Sequence, residues 1–129
     1  MQTKGDPLLP NESFRVEYRL DTDNANMTST HYHNCYEIYY YLGDTATYFI
    51  ENKSYPVNTY DVIFVDKFTY HKTWYREGET VERYLMYIGD EVIHMIKDGE
   101  IRSKILALFQ KKKLSFPDSF NKSMLHELK

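Results

Sequence analysis

The sequence contains a single cysteine, no long apolar segment and no excess of positive charge. Cys35 alone cannot form an intramolecular disulfide, which favours a reducing, cytoplasmic environment. No apolar run approaches the roughly 20 residues that a membrane-spanning helix requires, and residues 1–6 lack the apolar segment of a secretory signal. The formal net charge of −3 argues against a nucleic-acid-binding surface in this chain. We therefore expect a cytoplasmic protein that does not bind a membrane.

Several catalytic signatures are also missing from the sequence. We find no pattern typical of a Ser-His-Asp triad, of a glycine-rich phosphate loop or of the paired carboxylates of a hydrolase. The sequence therefore gives no support to these enzyme classes.

Aromatic residues, in contrast, are abundant. The chain has 13 tyrosines, seven phenylalanines and one tryptophan, and such rings favour strands and amphipathic environments. Some of them could stack on a sugar or aromatic ligand inside a barrel. The alternatives are that they only fill a small barrel or that they reflect a compositional bias of the genome. The candidate stacking residues are Tyr39, Tyr41, Tyr48 and Trp74.

Short alternating or apolar segments dominate residues 14–88. Between them lie turn signals such as Gly43-Asp44 and Asn52-Lys53. The pattern predicts about eight strands and no helix before residue 90, as in a β-sandwich or jelly-roll barrel. The residues that we expect to be buried in this barrel are Val16, Ile38, Tyr40, Ile63, Val65 and Leu85.

The pattern changes after residue 90. Residues 91–97 allow one or two helical turns, and residues 101–112 carry apolar side chains at helical spacing. Pro117 then precedes a further predicted helix over residues 119–129. Because no stop signal follows it, we expect the chain to be a piece of a longer protein. The apolar side chains expected to mediate self-association are Leu108, Phe109, Met124 and Leu128.

Two histidines separated by one residue organise the middle of the sequence. On an extended strand His31 and His33 point to the same face, and Glu37 follows. Together they offer two imidazoles and one carboxylate, donors that suit a divalent metal such as zinc, nickel, manganese or iron. The alternative is a hydrogen-bonded cluster that orients a small ligand. Cys35 is either a soft ligand or a core residue.

These residues also carry a family resemblance. His31-x-His33-x3-Glu37-x5-Gly43 resembles the first cupin motif, and residues 60–65 followed by His71 resemble the second. The order of the pieces is similar to the amino-terminal sensing domain of AraC-type transcriptional regulators. In that family a Pro-x-x-Gly-Asp turn precedes an apolar strand and a single histidine. Here the turn is residues 56–61, while residues 82–88 resemble the closing strand and residues 105–109 resemble the Leu-x-x-Leu-Phe helix.

The sequence departs from the family pattern in its second motif. Tyr60 replaces the glycine that opens this motif, and Asp66 and Phe68 replace a proline–glycine pair before the histidine. A degenerate second motif is ordinary in regulators and less expected in metalloenzymes, so these departures favour a regulator.

The resemblance implies an all-β fold with C-terminal helices, namely a cupin barrel followed by two or three short helices. It divides the chain into an N-terminal lead-in (1–13), the barrel (14–90) and a helical dimerisation or linker segment (91–129). It further implies a homodimeric, non-enzymatic sensing domain for a small-molecule effector such as a sugar. DNA binding would reside in a helix-turn-helix half that this chain does not contain.

The ligand-binding residues implied by this reading are His31, His33, Glu37, Tyr39, Tyr41, Tyr48, His71 and Trp74. The alternative function is a stand-alone cupin metalloenzyme, a dioxygenase or an isomerase. Its metal ligands would be His31, His33, Glu37 and His71.

Overall fold

The computed structural model describes residues 2–21 and 30–115, which form ten strands and two helices. The strands are β1 (Gln2–Lys4), β2 (Phe14–Asp21), β3 (Thr30–Tyr32), β4 (Tyr36–Tyr41), β5 (Ala46–Ile50), β6 (Lys53–Val57), β7 (Val62–Val65), β8 (His71–Tyr75), β9 (Val81–Ile88) and β10 (Lys113–Leu114). The helices are α1 (Asp90–His94) and α2 (Gly99–Lys111). As predicted, no described residue before position 90 is helical.

The strands form two five-stranded sheets. One sheet has the order β1-β3-β8-β5-β6 and the other has the order β10-β7-β4-β9-β2. Without the short outer strands β1 and β10, each sheet has four strands, and the chain crosses between the sheets as it does in a jelly roll of two Greek keys. Apart from the parallel pair β1–β3, the paired strands are antiparallel. This mostly β architecture with two short helices agrees with the predicted jelly-roll cupin fold.

The main core lies between the two sheets. It takes inward-facing side chains from both, including Tyr48 and Ile50 of β5 and Ile63 and Val65 of β7. The buried side chains alternate with outward-facing ones, as the period of a strand requires. The predicted burial of Ile63, Val65 and Leu85 is confirmed, whereas Ile38 and Tyr40 are only half-buried.

The prediction that Val16 is buried is wrong. Its side chain is 49% exposed, and the other apolar residues of β2 are similarly exposed. The strand alternates as predicted, but its charged residues occupy the inner face, where Arg19 lines a cavity. β2 is an edge strand, and its outer face lies away from the helices, which pack over the β4–β7 side of the same sheet.

The two helices lie close to their predicted positions and cover a second apolar cluster. The Asp98 side chain caps α2 by accepting hydrogen bonds from the backbone N–H groups of Glu100 and Ile101. Phe109 of α2 packs against Tyr36 and Phe64 and is only 1% exposed. Phe109 therefore belongs to the internal packing of the domain, which contradicts its predicted place on a free self-association surface.

Other members of the predicted association surface have different positions. Leu108 is half-buried at the edge of this second cluster. Met124, Leu128 and the predicted helix over residues 119–129 lie outside the described residues.

The N-terminal segment is more ordered than a lead-in. β1 pairs with β3, and the N–H of Gly5 donates to the carbonyl of Tyr32 at 3.0 Å. The prolines of this segment predict irregular structure. The hydrogen bonds to β3 give it a regular one. The division of the chain at residues 13 and 90 stays a prediction. Neither helix in the described part of the chain is long and apolar enough to cross a membrane.

Candidate functional site

A cavity of about 360 Å³ lies between the two sheets. This volume is in the range of small-molecule binding sites. Its walls come from both sheets and from the segment after β1, where Gly5 lies. Six of the predicted ligand-binding residues line it: His31, His33, Glu37, Tyr39, Tyr48 and His71.

The other two predicted ligand-binding residues, Tyr41 and Trp74, do not line this cavity. Trp74 is 50% exposed, because it follows His71 by three positions on β8 and therefore faces the opposite side of the sheet. Tyr41 is fully buried at the end of β4, stacked beside Tyr39 and Tyr75. Its hydroxyl has no hydrogen-bond partner among the described residues.

Three residues converge at one end of the cavity: His33 just after β3, Glu37 on β4 and His71 on β8. The Nε2 atom of His33 lies 3.6 Å from Oε1 of Glu37, and the Nε2 atom of His71 lies 3.9 Å from Oε2. One donor atom from each residue fits within 4.8 Å of the others. We call these three residues the His-Glu-His cluster.

Backbone carbonyls orient both histidines. The Nδ1–H of His33 donates to the carbonyl of Gly5, and that of His71 donates to the carbonyl of Thr69 at 2.9 Å. Since a carbonyl only accepts, Nδ1 carries a proton in each ring. A neutral ring therefore presents the lone pair of Nε2 to Glu37, and a protonated ring presents a second N–H. The turn before β8 also fixes the segment that carries His33, because Phe68 N–H donates to the His33 carbonyl at 2.7 Å.

Glu37 is the electrostatic centre of the cluster. It is 3% exposed and accepts a 2.8 Å hydrogen bond from Tyr48. Burial alone would raise the pKa of Glu37, but its ion-pair contacts with His33 and His71 and the hydrogen bond from Tyr48 outweigh burial and lower the pKa. Burial alone would lower the pKa of His33, but its ion-pair contact with Glu37 outweighs burial and raises the pKa.

His31 and Cys35 are not part of the His-Glu-His cluster. Among the described residues, the donor atoms that lie within 4.8 Å of one another belong to His33, Glu37 and His71. His31 lines the cavity, and its Cα is paired with that of His71 across β3 and β8. Its pKa is lowered by partial burial and by the neighbouring histidines. Cys35 is 2% exposed in the main core, and burial raises the pKa of its thiol to about 12. Its surroundings are those of a core residue.

The His-Glu-His cluster fits a divalent metal in the chemistry of its donors. Two imidazole nitrogens and one carboxylate oxygen suit zinc, nickel, manganese or iron. Around a metal with bonds of about 2.1 Å, neighbouring ligand atoms lie roughly 3.0–3.4 Å apart. The observed separations are longer, at 3.6 and 3.9 Å to the two different oxygens of Glu37, and one donor atom from each residue lies within 4.8 Å of the others. The three donors would have to move closer together to share one ion.

The sequence interpretation missed two arginines and two tyrosines that also line the cavity. Arg19 on β2 and Arg83 on β9 form part of its wall, as do Tyr75 and Tyr87. The hydroxyls of Tyr39 and Tyr75 hydrogen-bond to each other at 2.5 Å. The alternation of β2 puts Arg19 on the opposite face of the strand from its apolar neighbours. It does not indicate which of the two faces lies inside.

Comparison with solved structures identifies the fold. A cupin 2 conserved barrel domain protein from Salinispora arenicola CNS-205 matches with a TM-score of 0.51 and 16% identity, over 78% of this chain and 76% of that chain. A predicted oxalate decarboxylase from Thermotoga maritima matches with a TM-score of 0.52 and 22% identity, over 59% and 67%. ToxT from Vibrio cholerae O395, bound to (E)-4-(8-methylnaphthalen-1-yl)but-3-enoic acid, gives 0.53 and 19%, over 67% of this chain and 34% of that chain.

No protein-family model matches the chain, and no curated protein does. At the identities of the solved structures the likeness establishes the fold and not the activity. The likeness agrees with the way the chain crosses between the two sheets and with the cavity between them. The chain therefore has a cupin fold.

Proposed function

We propose that this chain is the effector-sensing domain of an AraC-type transcriptional regulator. The observation that carries the proposal is the cavity of about 360 Å³, walled by aromatic rings and by the polar groups of the His-Glu-His cluster. A pocket with a few converging polar groups is the usual form of a small-molecule site. Support comes from ToxT, an AraC-family regulator with a cupin domain and a bound small molecule.

Sensing requires that the effector bind two arrangements of the protein with different affinities, because equal binding shifts no equilibrium. Ligands in this cavity would touch both sheets and the segment at Gly5 and Asp6. Such a ligand would therefore bias the relative position of these elements, which a ligand on the outer surface of one sheet would not do.

Reading the gene beyond Lys129 tests the regulator assignment directly. We expect the coding sequence to continue for roughly 150 residues with two helix-turn-helix patterns. A stop codon at that point, or an unrelated domain, would contradict the assignment.

Self-association is the second part of the proposal. Half-buried Leu108 on α2 and the apolar residues of the predicted helix over 119–129 would supply the contact. The double variant Leu108→Lys, Met124→Lys should convert a dimer to a monomer in sedimentation experiments while the far-ultraviolet spectrum stays unchanged. A monomeric unmodified chain at high micromolar concentration would refute this part.

A cupin metalloenzyme is the alternative function, and the His-Glu-His cluster favours it. Its neighbours in fold include the predicted oxalate decarboxylase. A metal held there would act as a Lewis acid towards a bound substrate. Metal-loaded protein should then turn over a bound compound or consume oxygen, and Glu37→Gln should abolish this. The sensing proposal expects binding without turnover.

A further inference from the structure

We propose that the cavity binds a small organic acid, with its single carboxylate held by Arg19 and Arg83 and its apolar body against the tyrosines. This inference rests on the proposed function, because it names the chemical class of the ligand for the same cavity. It predicts an anionic ligand rather than the neutral sugar that the aromatic residues suggested.

The first argument is the register of two strands. Arg19 of β2 and Arg83 of β9 are direct partners in the antiparallel pair, and both side chains line the cavity. Side chains directly opposite on one face have Cβ atoms about 4.5–5.5 Å apart, and like charges in such a pair are destabilising. Glu17 and Asp21 each pair with one of these arginines and offset part of the repulsion. An anion between the two guanidinium groups would add a further attraction.

The second argument is the number of guanidinium N–H groups that the described contacts leave over. Arg83 is only 8% exposed, and its Nη1 donates to Asp21 at 2.9 Å and to the carbonyl of Val81 at 3.5 Å. Arg19 donates from Nε and Nη2 to Glu17 at 3.0 and 2.6 Å. A guanidinium has five N–H donors in a fork that matches a carboxylate. These bonds therefore occupy only part of the donor capacity beside the cavity.

The rest of the wall selects the shape and charge of the acid. Tyr39, Tyr75 and Leu85 present ring and aliphatic surface next to the arginines, and Arg83 lies 5.9 Å from the ring centroid of Tyr75. The carboxylates of Glu37 and Asp6 line the same cavity. Their negative charges disfavour a dianion such as phosphate more than a monoanion, so the proposed ligand carries a single carboxylate on an apolar body.

The test compares 4-phenylbutanoate with its neutral amide, 4-phenylbutanamide, as probes of equal shape. Binding is measured by calorimetry on the full chain with EDTA present, so that the carboxylate cannot bind a metal on the His-Glu-His cluster. We expect saturable binding of the acid, at least tenfold tighter than that of the amide. Equal binding of the two probes, or no saturable binding of the acid at millimolar concentration, would overturn the proposal.

Two variants locate the carboxylate. Arg19→Gln removes a half-exposed arginine and should weaken binding of the acid at least tenfold while binding of the amide stays the same. Arg83→Gln should do likewise, with a circular dichroism spectrum to establish that it folds. Arg76→Gln is the matched control, because it removes the same charge from an exposed turn residue. Undiminished acid binding by Arg19→Gln, or an equal loss in Arg76→Gln, would refute the assignment.

The outcomes separate this inference from the proposed function. If the acid does not bind but the gene continues into helix-turn-helix units, only the ligand class is wrong. If the acid binds through both arginines and the gene encodes no such units, the anion site stands and the regulator assignment falls.

Discussion

The hydroxyl of Tyr48 donates a 2.8 Å hydrogen bond to Oε2 of Glu37, the same oxygen that lies 3.9 Å from His71. Tyr48 belongs to one sheet and Glu37 to the other, so this bond joins the two sheets at the wall of the cavity. The Tyr48 ring also stacks parallel to the His71 imidazole, with centroids 6.0 Å apart. Tyr48 is therefore a positioning residue for the carboxylate and for one imidazole.

Tyr48→Phe tests this role. Loss of a hydrogen bond to a buried carboxylate should lower the free energy of unfolding by about 1–3 kcal/mol. The matched control is Tyr41→Phe, since that hydroxyl is buried with no hydrogen-bond partner among the described residues. The control should be neutral or slightly stabilising. Urea denaturation of both variants gives the comparison, and equal effects would contradict the proposed role of Tyr48.

Metal binding should depend on the three clustered residues. His33→Ala and His71→Ala should each reduce the zinc or nickel content of the purified protein at least tenfold, measured by elemental analysis, because each removes one of three donors. His94→Ala, on the exposed end of α1, is the control. His31→Ala should retain the metal, since His31 lies outside the cluster.

Two results would change this interpretation. Loss of metal in His31→Ala would restore the four-ligand site that the sequence predicts. A metal content below a tenth of an ion per chain, unaffected by His33→Ala, would leave the cluster as a hydrogen-bonded group that orients a ligand.

Phe68, in the turn before β8, stands where the cupin motif that this sequence resembles has glycine. Its φ of 59° lies in the left-handed region, where a side chain strains the backbone, and Tyr60 before β7 has a φ of 76° in the same region. Since Phe68 is exposed, its ring contributes little burial. Phe68→Gly should therefore be more stable than Phe68→Ala by about 1 kcal/mol, because alanine keeps the Cβ clash and glycine removes it. Equal midpoints in urea would contradict the strain.

Opposite faces of one sheet should respond differently to a new charge. Ile63→Asp should prevent folding, because Ile63 is fully buried between the sheets and an unpaired charge there costs several kcal/mol. Val16→Asp, on the exposed face of β2, should change the free energy of unfolding by less than about 1 kcal/mol. Thermal denaturation of the soluble fractions distinguishes the two. A severe effect of Val16→Asp would mean that another surface covers β2.

Local pattern predicted much of this fold. Alternation and turn residues predicted about eight strands before residue 90, where β2 to β9 lie, and the change to helical spacing predicted α1 and α2. The spacing of His33 and Glu37, together with the cupin resemblance that adds His71, indicated the cluster that the structure brings together. The same rule of alternation, applied from His71, would also have removed Trp74 from the cavity.

Other features depended on contacts between distant segments. A period of two shows which residues share a face of β2, but not which face lies inside, and this is why the prediction that Val16 is buried is wrong. His33 follows the end of β3, so its direction is set by Gly5 and Phe68 rather than by the alternation that includes His31.

The sequence by itself determined the strands, the two helices and the chemical character of the candidate ligands, because these depend on neighbouring residues and on residue type. The tertiary structure alone decided that Arg19 lies opposite Arg83, that Phe109 is internal and that His31 stands apart from the cluster. These relationships follow from strand register and sheet packing, which join residues far apart in the chain and leave no local periodic signal.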